Sequence, residues 1–235
     1  MDHVTATPGL DLAQVVRRHL DLTKYLDLLR GNSLYLRRAD RFPDRLEGAL
    51  TPSIRRAMNE GRSEHPDIET AEQFQLRSRV GALVSCWTMG KADNMALWQL
   101  YGGASASIAV VTTVEQLAMA SIDWPDPAYI YQVKYIDHMS DPDMIVGHYT
   151  DMLQYKHTAY AFEQELRVIA SRHRGNWQDT PEGVRLPIPN LKSFVREVIV
   201  APEAQDWYVD LVADVSAKYG LNVPVRRSDL AHVQA

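Results

Sequence analysis

The sequence predicts a single α+β domain over residues 1–235, with a mixed β-sheet of about six strands flanked by helices. Three observations predict it. The composition, 46% hydrophobic and 23% charged over 235 residues, is that of an ordinary globular chain. Segments rich in Val, Ile and Tyr alternate irregularly with segments of helical periodicity, which disfavours a regular doubly wound sheet. No internal repeat, low-complexity tract or obvious linker divides the chain.

Residues 1–9 read as a polar, flexible lead. From Leu10 to Arg30, the residues Leu12, Val15, Val16, Leu20, Leu22, Leu26 and Leu29 recur at roughly helical spacing, and Gly31 supplies a stop. Ser33–Arg37 is a short strand that ends on Arg37 and Arg38, before a turn at Asp40–Asp44 in which Pro43 biases Phe42 towards extended backbone. Thr51-Pro52 is an N-cap followed by proline at the first helical position, with Gly61 closing that helix. Thr70 and Gln73 form a capping-box pattern for a helix near 68–79.

Gly81–Trp87 reads as a buried strand. Asp93 caps a short helix through Met95, Leu97, Trp98 and Tyr101, ended by Gly102-Gly103. Ile108–Val111 is a second core strand, and Thr112 with Glu115 opens another short helix. Tyr129–Ile136 has β-favouring density, and Asp143–Tyr160 has helical periodicity. Leu166–Ala170 and Val195–Val200 are strands, separated by a polar surface loop at 172–183. Residues 203–219 form an amphipathic helix ended by Gly220, and Asn222–Arg227 is a last short strand.

Charge and composition exclude several function classes. The formal charge of −5 gives no whole-protein field for strong non-specific nucleic-acid binding. The single cysteine, Cys86, removes an intramolecular disulfide and a cysteine-based zinc site, and fits a reducing, cytoplasmic setting. No stretch approaches the ~20 apolar residues of a membrane helix. The opening MDHVTATPGLDL has neither a basic start nor an apolar stretch, so no secretory signal is expected. His138, His148 and His157 share no helical face, so no metal is expected. Gly102-Gly103 lacks the context of a phosphate-binding loop.

The chemistry-bearing candidates are few. Glu163 and Glu165 enter a predicted strand at i and i+2, which places both carboxylates on one face, with Arg167 next along it. Two close carboxylates repel, so either one takes up a proton more readily or a cation such as Arg167 lies beside them. The bland alternative is a surface Glu–Arg pair worth about 0–1 kcal/mol. Arg37 and Arg38 point to opposite faces of their strand, and an inward arginine needs a carboxylate or a ligand phosphate. Their alternative is a solvated pair. Ser85 lies among apolar neighbours and either shapes a pocket or satisfies itself on backbone. Trp98 and Tyr101 are core anchors or a stacking surface for a cofactor.

Several blocks resemble the bacterial family known as domain of unknown function 2971. They are Leu34-Tyr35 through Arg38–Asp44 with Glu47-Gly48; Ser85–Trp87 followed by Met95–Tyr101; Phe162–Arg167; and Glu197–Pro202 with Lys218–Gly220 and Ser228. Where that family usually carries an Asp-Pro-type turn, this chain has Arg45-Leu46. The resemblance implies a fold and no mechanism.

The order of an arginine at the end of an early strand, a serine strand, and Glu-x-Glu at the head of a late strand resembles the plan of ADP-ribosyltransferases. That resemblance implies NAD as a substrate, with an acceptor to be found. It implies that Arg37 grips a phosphate, with the register between Arg37 and the adjacent Arg38 open, that Ser85 shapes the nicotinamide pocket, that Glu165 is the catalytic carboxylate and that Glu163 is the acceptor-side acid. Ser85-Cys86-Trp87-Thr88 departs from the Ser-x-Ser of that plan. Two other classes remain open. A metal-dependent nuclease of a defence or toxin system would gather Asp40, Asp44, Glu47, Glu163 and Glu165 around Mg²⁺. A non-catalytic binding or regulatory module would use the same charges as an internal ion network.

Overall fold

The computed structural model describes residues 3–90, 93–173 and 176–234. The fold is α+β, and its mixed sheet has more strands than the sequence predicts. In chain order the strands are β1 (Val4–Ala6), β2 (Val15–Leu20), β3 (Ser33–Arg38), β4 (Ala82–Thr88), β5 (Ile108–Thr113) and β6 (Ala128–Gln132). They continue with β7 (Lys134–Ile136), β8 (Tyr155–His157), β9 (Glu165–Ser171), β10 (Gly183–Pro187), β11 (Glu197–Val200) and β12 (Val225–Arg227). The helices are α1 (Leu22–Gly31), α2 (Pro52–Glu64), α3 (Ala71–Val80), α4 (Met95–Leu100), α5 (Val114–Ser121), α6 (Leu191–Phe194) and α7 (Asp206–Lys218). None is long and apolar enough to cross a membrane among the described residues.

Local signals set most helix starts. Thr70 forms a complete capping box with Gln73 at the head of α3, and Pro52 occupies the first turn of α2. The start of α4 is capped by Asn94, whose side chain accepts from the Ala96 N–H, rather than by Asp93.

Two helical expectations are corrected. The expected helix over Leu10–Arg30 is a strand followed by a helix. β2 pairs with β5 from Val15↔Thr113 to Leu20↔Ile108, and Asp21 then caps α1 by accepting from the Lys24 N–H. The β-branched pair Val15-Val16 takes the pleated surface that β5 provides, so tertiary pairing overrides the helical spacing. The expected helix over Asp143–Tyr160 holds instead a 3₁₀ turn at Asp151–Gln154, β8, and a second 3₁₀ turn at Thr158–Glu163. Asp151 accepts from the Gly147 and His148 N–H groups at 2.8 and 2.7 Å, a local bond that competes with helix.

The chain forms two compact units, each assembled from three segments. The first comprises the residues up to Pro8, Leu36–Ser85 and Ile122–Val184. Within it β1 runs parallel to β6, and β6 runs antiparallel to β9 with Tyr131 opposite Arg167. β4 neighbours β9, and the end of β3 pairs antiparallel with β4 through Arg37↔Val84 and Arg38↔Leu83. A separate parallel ladder joins β7 and β8, with Tyr135 opposite Lys156. Beneath α2 and α3, Leu50, Ala71, Met144, Met152 and Tyr155 form an apolar cluster.

The second unit comprises Gly9–Tyr35, Cys86–Ser121 and the chain from Arg185 onward. Here β5 lies antiparallel to both β2 and β11, and β11 runs parallel to β12. β5 is buried along its whole length, which fits the apolar run Ile108–Val111 that precedes its buried Thr112 and Thr113.

Candidate active site

The acidic motif lies entirely within the first unit. It is built differently from the same-face strand pair that the spacing suggests. Glu163 ends the 3₁₀ turn, Gln164 has left-handed backbone at φ +44°, and Glu165 opens β9. The two carboxylates nevertheless converge, because both bond the ammonium of Lys156. Lys156 Nζ donates to Glu163 Oε2 and, at 3.1 Å, to Glu165 Oε2.

Arg167 completes the arrangement from two positions further along β9. Its Nε and Nη2 each donate to Glu165 at 3.1 Å, on Oε1 and Oε2 respectively. Its other edge grips Glu47 bidentately, Nη1 to Oε1 at 2.5 Å and Nη2 to Oε2 at 2.9 Å. Nη1 also donates to the Leu153 carbonyl at 2.8 Å. Those five bonds match the five N–H groups that a guanidinium owns. The whole network is out of water: the residues are exposed by 0% for Arg167, 1% for Glu47, 3% for Glu165, 5% for Glu163 and 7% for Lys156.

Burial at such charges is expensive unless every charge is paired and hydrogen-bonded. Burial pulls the Lys156 ammonium down, yet Glu165 and Glu163 beside it hold it above its ordinary value. Burial pushes the Glu47 carboxyl up, against the opposing pull of Arg167. The backbone is held too. The Glu165 N–H donates to the Tyr135 hydroxyl at 2.8 Å, and burial pushes that phenol up to about 12. The Tyr160 ring lies 4.7 Å from Lys156 Nζ.

The remaining predicted residues fall in different places. Ser85 is buried on β4, the strand beside β9. Arg38 pairs with Leu83, and side chains directly opposite in a ladder share a face. Leu83 and Ser85 are two apart on one strand, so Arg38 shares Ser85's face and Arg37 lies on the other. Arg37 is exposed. Arg38 is held by Asp40, Nε to Oδ1 at 2.7 Å, and donates to the Thr180 carbonyl at 2.5 Å. Trp98 and Tyr101 belong to the second unit. Trp98 is enclosed there as a core anchor, its indole N–H on Asp93 Oδ1 at 2.8 Å and its ring edge-on to His19, whereas Tyr101 is exposed.

Sequence reasoning missed the role of Lys156, which sat inside the expected helix at 143–160. It counted Glu47 as a metal-ligand candidate or as one charge of an internal ion network, without its partner, and missed Tyr135 altogether. Four of the five carboxylates of the nuclease alternative are instead engaged by cations, Glu47 by Arg167, Glu163 and Glu165 by Lys156, and Asp40 by Arg38, while Asp44 Oδ1 accepts from the Leu46 N–H at 2.9 Å. Among the described residues no group of three or more His, Cys, Asp or Glu side chains is arranged to hold a metal ion.

No family model matches the chain, and no curated protein matches it either. Solved structures of one other protein are similar to it in fold. Thermus sp. 2.9 DarT in complex with NAD+ aligns with a TM-score of 0.45 at 9% identity, covering 95% of this chain and 99% of that one. Thermus sp. 2.9 DarT in complex with ADP-ribosylated ssDNA aligns at 0.42 and 10% identity over 92% and 93% of the two chains. The same protein in complex with carba-NAD+ aligns at 0.42 and 8% identity over 93% and 97%.

Proposed function

We propose that the protein is an ADP-ribosyltransferase-like enzyme that uses NAD as a substrate and breaks its nicotinamide–ribose bond, with Glu165 as the catalytic carboxylate. The observation that carries this reading is the fixed Glu165 carboxylate at the head of β9, clamped on both oxygens by Arg167 and Lys156. Breaking the C1′–N bond sends both bonding electrons to nicotinamide and leaves an oxocarbenium-like cation on the ribose. A pre-oriented carboxylate stabilises that cation with no reorganisation during the reaction. The acceptor nucleophile, or water, then attacks C1′ and passes its proton to the Glu163 carboxylate. Glu163, two residues away on the same ammonium, is the acceptor-side acid in this reading. Ser85 shapes the nicotinamide pocket, and Arg38, on Ser85's face, grips a phosphate in place of Arg37.

The test is nicotinamide release from NAD by the purified protein, with and without cell lysate as the source of acceptor, beside Glu165→Gln. Glutamine keeps the shape and removes the charge. Release is expected from the wild type and is expected to fall by about 10²–10³-fold in the variant. No release from a folded wild-type protein under either condition overturns the reading.

A second reading is favoured by one observation, the near-complete burial of all five charged residues. In it the network is structural and the protein is a non-catalytic binding or regulatory module. That reading predicts that Glu165→Ala costs about 3–5 kcal/mol by leaving cations unpaired in the interior. Because Glu165 is buried among those cations in either reading, an enzyme pays the same cost, and nicotinamide release by the folded wild type is what separates the two.

A further inference from the structure

We propose that Glu47 is a positioning residue for Glu165, acting through Arg167. The proposal rests on the transferase reading for its catalytic consequence, and on geometry alone for the coupling. Glu47 reaches the network from the loop before α2, far from Glu165 in sequence, and both of its carboxylate oxygens accept from the guanidinium of Arg167. It acts on the guanidinium. Two Arg167 edges hold two carboxylates: one edge is closed by Glu47 through paired bonds of 2.5 and 2.9 Å, the other by Glu165 through paired bonds of 3.1 Å.

A guanidinium is planar, so fixing one edge fixes the plane of the other. The Leu153 carbonyl takes the N–H that neither carboxylate takes, which removes the remaining freedom to swing. With Glu47 in place, the Glu165 carboxylate therefore has one orientation. Without it, Arg167 retains its charge and loses its register, and Glu165 keeps a cation but not a fixed plane. The charge of Glu47 has a second effect. As an anion sharing Arg167, it weakens the hold of that cation on the ionised form of Glu165, so removing its charge makes Glu165 easier to ionise.

The experiment uses the full chain with Glu47→Gln and Glu47→Asp. The first removes the charge and puts an amide N–H₂ against Arg167. The second keeps the charge and withdraws it by one methylene, which preserves foldability where the first fails. Two readouts are taken. Nicotinamide release should show kcat lowered by about 10²-fold in both variants, with KM for NAD nearly unchanged, as expected for a small misplacement of a reacting group. The ¹³C titration of Glu165 in glutamate-labelled protein should move to lower pH in Glu47→Gln. Wild-type kcat in a folded Glu47→Asp, or an unmoved Glu165 titration in a folded Glu47→Gln, overturns the proposal. If the wild type releases no nicotinamide, the transferase reading falls, and the titration alone decides the coupling.

Discussion

Two histidines, His19 and His173, carry an acid sensitivity that follows from their surroundings. Burial pulls each imidazole down to about 4, opposed only in part by the Asp93 carboxylate at His19 and by backbone hydrogen bonding at His173. His173 stacks on Tyr149 at 5.0 Å between centroids and shares a hydrogen bond with Ser171 Oγ at 2.8 Å, so its position is set by packing as well as by polarity. An unfolded histidine takes its proton near pH 6.5. Between pH 6.5 and 4 the unfolded chain therefore binds a proton that the folded protein refuses. Stability is complete above that window and is lost as the pH falls through it, by up to about 3 kcal/mol per histidine at the acid end. For His173→Gln the urea midpoint should start lower at pH 7 and should fall less between pH 7 and pH 5 than that of the wild type. Parallel slopes for the two proteins would show that His173 binds its proton equally well in both states.

Among the elements, the pairing of β3 with β4 settles which arginine accompanies Ser85. The register Arg38↔Leu83 puts Arg38 on Ser85's face, and Asp40 fixes its guanidinium plane by closing the Nε–Nη2 edge. A planar fork suits a phosphate where an ammonium does not. In the proposed transferase reading, Arg38→Lys should accordingly raise KM for NAD by about tenfold, near 1.4 kcal/mol, with kcat changed far less, while Arg37→Lys leaves KM within about twofold. The opposite pattern would return the phosphate to Arg37. The strand residues were legible because alternation and β-branched density mark strands locally, and β4, β5, β9 and β11 emerge close to where the sequence puts them. The face of Arg38 was not legible, since register depends on a partner strand. Convergence of Glu163 and Glu165 was legible in outcome but not in cause. It depends on the left-handed backbone at Gln164 and on a lysine whose segment shows helical spacing yet folds as β8. Glu47 was visible as a carboxylate, and its bond to Arg167 crosses a sequence separation that no local pattern records.

For the molecule as a whole, the chain path matters more than its length. Each compact unit is assembled from three segments, and the chain passes from one unit to the other five times, after Pro8, within β3, within β4, after Ser121 and within β10. Contacts within a unit therefore join residues far apart in sequence, such as β1 with β6 and β2 with β11's neighbour β5. Loop closure must precede most of the stabilising contacts, which is the condition for slow folding and for strong dependence on an intact chain. The absence of a linker in the sequence agrees with this path, because no point between segments separates one complete unit from the other. A cut after Ser121 illustrates the consequence. The fragment 1–121 holds β4 but not β9, and it holds β5 but not β11, so both units lose a hydrogen-bonded neighbour strand and the apolar face that strand covers. It also leaves Glu47 without Arg167, which strands a buried carboxylate. Fragment 1–121 alone should show the poor amide dispersion of an unfolded chain by NMR. A dispersed spectrum from that fragment would mean that local segments, rather than the long-range pairings, hold most of the stability.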